Sequence, residues 1–179
     1  MDNWIAQIFS QYAYQPLWVY GAIWFFMILS AFGLPLPEEV VLISAGYVGY
    51  MSLHPDEYPP PTLGAPHVNV YLLAFVALGA VVGSDLVIFY LGHRYGRKIL
   101  RMKFFARLVS EQRLDKIQAW TQRYGFWTVP IFRFTPGIRF PGHLMCGAMG
   151  LQLSRYLAVD FTAAALTIPT QILLISFYG

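Results

Sequence analysis

The chain has 179 residues, 57% of them hydrophobic, 17% aromatic and only 12% charged, with a mean hydropathy of +0.51 and a formal charge of +3. A soluble domain carries about 25% charged residues, so this composition excludes an ordinary soluble protein. It predicts an all-α polytopic membrane protein of a single domain, 1–179, with no room for a second soluble domain. Cys146 is the sole cysteine, which excludes an intrachain disulfide. No basic flank and small-residue cleavage site mark a signal peptide at the N-terminus.

Residues 1–16 alternate apolar and polar groups (Trp4, Ile5, Ile8, Phe9, Tyr12) and predict a short interfacial helix with aromatics at headgroup level. Residues 17–32 are apolar and uncharged and predict a first membrane helix, short for a span. Gly33-Leu34-Pro35-Leu36-Pro37-Glu38-Glu39 then interrupts the apolar run. Pro35 and Pro37 remove two backbone donors and hold the preceding residues extended. The apolar stretch that resumes at Val40 is too short to span, so 33–51 is read as a re-entrant hairpin, with Ser44, Ala45, Gly46 and Gly49 allowing close packing. Five prolines between 51 and 67 predict an extended loop.

Residues 68–91 are long and apolar enough for a spanning helix, with Gly79, Ala80 and Gly83 as a close-packing face and Asp85 deep inside it. Residues 93–124 are basic and amphipathic, with Leu114, Ile117 and Trp120 at helical spacing, and predict a connector along the headgroups. Residues 125–151, broken by Pro130, Pro136 and Pro141, predict a second re-entrant hairpin, and 153–178 a last spanning helix containing Asp160 and Pro169.

Nine of the twelve Lys and Arg lie between Arg94 and Arg123, whereas the loop 52–67 has none. The positive-inside rule puts the connector in the cytoplasm and the loop outside. The first hairpin then enters from outside and the second from inside, the arrangement of an inverted repeat.

A charge at bilayer depth costs roughly 2.5–3.5 kcal/mol even on lenient scales, so the charged residues of the broken segments are the candidate site. Arg133 and Arg139 flank a Pro136-Gly137 break, and their planar guanidiniums match phosphate oxygens two at a time. Backbone donors at Gly137 and Gly142 would add an anion nest; snorkelling of the arginines to headgroups is the alternative. Glu38 and Glu39 either complement the N-terminal dipole of a helix or face a cavity. Asp85 would pair with an arginine or relay a proton, and Asp160 has the same options or neutralises Arg155. His143 reads as a hydrogen-bonded structural group, since no second histidine stands at metal-ligand spacing. No metal or other cofactor is expected.

Together these segments resemble a known family. Gly33-Leu34-Pro35-Leu36-Pro37-Glu38-Glu39, then Gly79-x3-Gly83-x-Asp85-x4-Tyr90-x-Gly92-x3-Gly96-Arg97, then Phe132-Arg133-Phe134-Thr135-Pro136-Gly137-x-Arg139 are similar, in order, to the DedA family, the bacterial branch of the VTT-domain (SNARE-associated) membrane proteins. The resemblance runs from about residue 17 to the C-terminus. It implies a multi-pass protein of the bacterial inner membrane that moves a phosphate-bearing lipid, undecaprenyl phosphate or a phospholipid, between leaflets with proton coupling. It maps the family's essential acid to Glu39, beside Glu38, and its two arginines to Arg133 and Arg139. A further acid that many members carry upstream of the first break has no counterpart in 28–32.

The expected partners are thus a lipid with a phosphate head group and protons, not nucleic acid, with room for a homo-oligomer. The expected activity is transport, not catalysis. The alternatives are a membrane lipid phosphatase, faintly suggested by Phe140-Pro141-Gly142-His143 and Ser154-Arg155, and a non-catalytic assembly protein.

Overall fold

The computed structural model describes residues 11–31, 38–62, 64–96, 98, 111–135 and 138–179. All regular structure among them is helical: α1 (Pro16–Ala31), α2 (Glu38–Leu53), α3 (Val70–Tyr95), α4 (Glu111–Tyr124), a 3-10 turn (Gly125–Trp127), α5 (Thr128–Phe134), α6 (Arg139–Ala148) and α7 (Leu153–Tyr178). Among the described residues two helices, α3 and α7, are long and apolar enough to cross a membrane. The 16 residues of α1 reach about 24 Å at 1.5 Å per residue, less than the roughly 30 Å of a hydrocarbon core. Leu17, Trp18, Tyr71, Phe75 and Leu166 are each more than two-thirds exposed, an apolar surface suited to lipid.

Element ends follow local chemistry. Asn69 starts α3: its Oδ1 accepts from the N–H groups of Tyr71 and Leu72, both at 3.0 Å, satisfying donors that no helical carbonyl can reach. Thr135, held extended at φ −108 and ψ 108 ahead of Pro136, ends α5. Gly150 ends α6 at φ +70, where its N–H donates to Gly147 O and the N–H of Leu151 to Cys146 O. That is a Schellman motif, and Leu151 packs on the same cluster as Cys146.

Several expectations need correction. Helix α2 continues to Leu53, so the loop begins later than expected. Pro141 does not break the second element. It occupies the third position of α6, where a backbone N–H would have no intrahelical partner anyway. Gly79 is not a point of close approach, since a Cβ there would meet only the Trp24 ring at 3.8 Å. Pro35, Pro37, Pro136 and Gly137, and most of the interfacial helix expected over 1–16, lie outside the described residues.

The chain forms two compact units. One comprises the described residues within Met1–Ile28, Leu36–Ala80 and Ala165–Gly179. In it α2 lies against the C-terminal half of α7 through Gly46 and Gly49: a Cβ on Gly46 would fall 2.8 Å from Ile175 Cβ, and Ser176 Oγ donates to Gly46 O at 3.0 Å. The Ser52 hydroxyl, at 3.0 Å from Val68 O, ties the end of α2 to the start of α3.

The other unit comprises the described residues within Leu29–Pro35 and Val81–Ala164. Its core gathers Ile88 and Phe89 of α3, Ile117 of α4, Val129 and Phe132 of α5, Leu144, Met145 and Cys146 of α6, and Tyr156 of α7. The amphipathic face of α4 thus packs inward through Ile117 and Thr121, while Asp115, Lys116 and Arg123 stay exposed. Two glycines set the α3–α6 approach. A Cβ on Gly92 would overlap Leu144 O, and one on Gly147 would overlap Phe89 O. Both obstacles are backbone, so neither helix can yield by changing a rotamer.

Gly92→Ala and Gly147→Ala should each destabilise the protein by about 1–3 kcal/mol, the usual range for overpacking. Gly21→Ala, with nothing within 4 Å of the new Cβ, should be neutral or slightly stabilising through helix propensity. Thermal unfolding in detergent measures all three; equal effects would show that the two glycines do not set the spacing.

Candidate functional site: a buried arginine–aspartate cluster

The second unit places four charged side chains together. Asp85, in the middle of α3, and Asp160, in the first half of α7, are both fully buried. Arg133 projects from the last turn of α5 and Arg139 from the first turn of α6. Their side chains are 6% and 18% exposed. The short α5–break–α6 arrangement brings residues six apart in sequence to one place. A cation suits the C-terminal end of α5 but opposes the dipole at the start of α6, so Arg139 needs a nearby anion more than Arg133 does.

Asp85 supplies that anion to both. Arg133 Nη2 donates to Asp85 Oδ2 at 2.7 Å and to Asp160 Oδ1 at 2.7 Å. Arg139 addresses Asp85 with two prongs, Nε to Oδ1 at 3.1 Å and Nη2 to Oδ2 at 3.0 Å. The formal charges of the two pairs cancel. Such forked, charge-assisted contacts are the strong end of the hydrogen-bond range and can offset the desolvation of buried ions.

A neutral layer packs beside the ions. His143, fully buried, is paired through Nδ1 with the Tyr156 hydroxyl at 2.5 Å, and that hydroxyl donates to Asp85 O at 3.3 Å. Tyr156 stacks on Phe89 with ring centroids 4.3 Å apart. Three buried polar atoms, Arg133 Nε, His143 Nε2 and Asp160 Oδ2, have no hydrogen-bond partner among the described residues.

The arrangement relates to the expected site residues as follows. Asp85, Arg133 and Arg139 are brought together. Gly142 is not an anion nest: it lies within α6, its N–H donates to Ile138 O at 2.7 Å, and the Phe132 ring fills the space beside it. Glu38 and Glu39 sit in the first turn of α2, in the other unit, with Glu39 exposed. Asp160 pairs with Arg133, whereas Arg155 lies over the Phe126 ring at 5.9 Å. The pairing of Asp160 and the contact between His143 and Tyr156 join distant segments, and local spacing carries no signal for either.

One ligand atom each from Asp85, His143 and Asp160 lie within 4.8 Å of one another, a grouping of the kind that holds a metal ion. Both carboxylates are already engaged by guanidiniums, however. Arg133 Nη2 occupies the position between them and supplies the positive charge that a cation would bring.

Asp85→Ala should cost about 3–5 kcal/mol, because it leaves buried guanidiniums uncompensated. Asp160→Ala should cost less, since Arg133 keeps Asp85. The double variant Asp85→Ala/Arg139→Ala should be more stable than the sum of its singles, the signature of a direct pair. Thermal or denaturant unfolding in detergent reads all of these, and strict additivity would exclude the Asp85–Arg139 pair.

Residues 36–177 match the VTT domain. The chain is 32% identical over 156 residues to an uncharacterized membrane protein of Haemophilus influenzae, covering 87% of this chain and 68% of that protein. It is 25% identical over 154 residues to the uncharacterized membrane protein YbfM of Bacillus subtilis, covering 86% and 83% of the two chains. An inner membrane protein of Borreliella burgdorferi is 27% identical over 165 residues, covering 92% and 70%. No solved structure matches. The domain match takes in most of the chain, including both broken segments' charged residues, and the chain therefore belongs to the VTT domain family of membrane proteins.

Proposed function

We propose that this protein is a proton-coupled transporter that moves a phosphate-bearing lipid, undecaprenyl phosphate or a phospholipid, between the leaflets of a bacterial inner membrane, without hydrolysing it. The observation that carries this reading is the pair of guanidiniums, Arg133 and Arg139, held on buried carboxylates at a helix break. Carboxylate and phosphate oxygens present the same planar pair of acceptors to an arginine fork. Asp85 thus serves as a placeholder on the Arg139 fork, while Arg133 holds both aspartates through Nη2 and has an Nε without a partner among the described residues. An arriving phosphate group replaces carboxylate oxygens on the Arg139 fork, and the cluster never contains an unpaired guanidinium.

The lengths of α5 and α6 support a re-entrant second element. Their 7 and 10 residues extend only about 10 and 15 Å, and neither crosses a hydrocarbon core of roughly 30 Å by itself. With the basic connector inside, this element opens to the cytoplasm and the first broken element to the outside, in an inverted repeat. Asp56→Cys and Gln122→Cys place thiols on exposed residues of the loop and of α4, while the native Cys146 is buried. The two should label from opposite sides of the membrane. Labelling from one side alone would overturn the inverted repeat.

Proton coupling follows from charge. A lipid monophosphate brings about −1.5 to −2, by analogy with phosphorylated side chains. In a low-dielectric site that excess favours uptake of a proton by the protein. Glu39, at the start of α2, is proposed as the coupling acid, so acid pH should favour loading. Purified protein in vesicles with a fluorescent lipid phosphate tests both claims. Arg133→Lys and Arg139→Lys should each lower transport at least about tenfold, nearly as much as alanine, because losing a charge-assisted fork is worth roughly 1.5–3 kcal/mol. Glu39→Gln should bind lipid yet show a weaker pH dependence. Full transport by both lysine variants would reduce the arginines to a diffuse positive field, and unchanged pH dependence would remove Glu39 from the coupling role.

A further inference from the structure

We propose that His143 is a proton acceptor built into the arginine cluster, and that Asp85 exchanges Arg139 for the His143 imidazolium when a phosphate group binds. The inference rests on the transport reading and assigns a second proton site to it. It starts from the unpartnered Nε2. His143 is fully buried, its Nδ1 is engaged by Tyr156, and its Nε2 stands 3.9 Å from Asp85 Oδ1 with no hydrogen-bond partner among the described residues. The neutral imidazole carries one proton, on Nδ1 or on Nε2, and a lone pair on the other nitrogen. The Tyr156 hydroxyl lies within reach of both Nδ1 and Asp85 O and so serves either tautomer. A second proton makes both nitrogens donors, with Nε2–H directed at Asp85 and Nδ1–H at the Tyr156 hydroxyl.

The groups facing the imidazole explain when this happens. Asp85 faces it from α3, Arg133 from α5, Arg139 from its own helix α6, and Tyr156 and Asp160 from α7. From α4 the buried residues are Ile117 and Thr121, while Asp115, Lys116 and Arg123 are exposed. Within the cluster two carboxylates balance two guanidiniums, and an imidazolium would leave one positive charge in excess. When a phosphate monoanion takes the Arg139 fork, two hydrogen bonds from Arg139 to Asp85 break and two to phosphate oxygens form. The cluster is then one negative charge in excess. A proton from the aqueous phase adds to the imidazole lone pair, the imidazolium donates through Nε2 to Asp85 Oδ1, and the sum returns to zero. No bond to phosphorus is made or broken. A dianionic head group would call for one proton more, the role proposed for Glu39.

The test is proton counting on the full chain in nanodiscs, by calorimetry in two buffers of different ionisation enthalpy, with a short-chain phosphatidic acid as probe. At the maximum of a pH series, the wild type should take up about one proton more per bound lipid than His143→Gln. Tyr156→Phe keeps the ring on Phe89 and removes the hydroxyl that the imidazolium would use, so its uptake should move to lower pH. A measurement on the wild type guards against a variant that fails to fold. Nitrogen NMR of labelled histidine should show His143 pass from one protonated nitrogen to two when phosphatidic acid is added.

Lipid binding with equal proton uptake in wild type and His143→Gln would overturn the inference and leave the transport reading intact. No binding of phosphatidic acid or inorganic phosphate by the wild type would overturn both. Inorganic phosphate producing the same imidazole change would support the proton site and move the substrate from lipid to the free anion. Release of inorganic phosphate from the lipid would make the imidazole a nucleophile and overturn the acceptor role.

Discussion

Asp85 is a single carboxylate serving two arginines, and the surrounding unit is arranged around that constraint. A buried, ionised aspartate is tolerated only with its charge and its oxygen lone pairs engaged. Here Arg133 and Arg139 engage both oxygens, and Asp160 supplies the second negative charge that balances the pair. The helices that carry these residues must be held at hydrogen-bonding distance. Gly92 and Gly147 provide that for α3 and α6, because backbone meets backbone where each lacks a side chain. The Schellman turn at Gly150 then returns the chain into α7, which carries Tyr156 and Asp160. Local turn chemistry, helix spacing and ion pairing thus point to one geometry.

Some of this is legible in the sequence. A helix surrounded by lipid satisfies its backbone internally, so its extent is written directly in hydropathy. The expected 153–178 is the observed α7, and 68–91 falls within two to four residues of α3 at its ends. The rarity of deep charge marks Asp85, Arg133 and Arg139 before any coordinates are known. Proline is a less reliable guide. Thr135 ahead of Pro136 does end a helix, but Pro141 sits inside the first turn of one, where the missing N–H costs nothing.

What is not legible is long-range. Asp160 lies close to Arg155 in sequence and invites that pairing, yet it meets Arg133. His143 looks like an isolated structural residue until Tyr156 and Asp85 are placed beside it. Glycines are also ambiguous when read singly. Gly79 belongs to a small-residue face but touches little, whereas Gly92 and Gly147 decide how near two helices come. Small-residue spacing identifies helices that are able to approach; which glycine is in contact depends on rotation and register, which packing sets.

A shared carboxylate has a consequence that two independent ion pairs would lack. If Asp85 served Arg139 alone, an incoming phosphate would free one buried carboxylate completely, and an orphaned buried charge costs about 3–5 kcal/mol. Asp85 keeps Arg133 when Arg139 leaves, and Arg133 also remains on Asp160. The exchange therefore replaces part of the coordination of Asp85, never all of it. The unpartnered Nε2 of His143 lies on the Oδ1 side, the oxygen that the Nε prong of Arg139 engages. The vacated oxygen and Nε2 face each other, so an imidazolium there restores both the charge balance and the missing hydrogen bond. On this account the cluster is stable because its charges cancel, and it would admit an anion because one arginine can be given up without orphaning either aspartate.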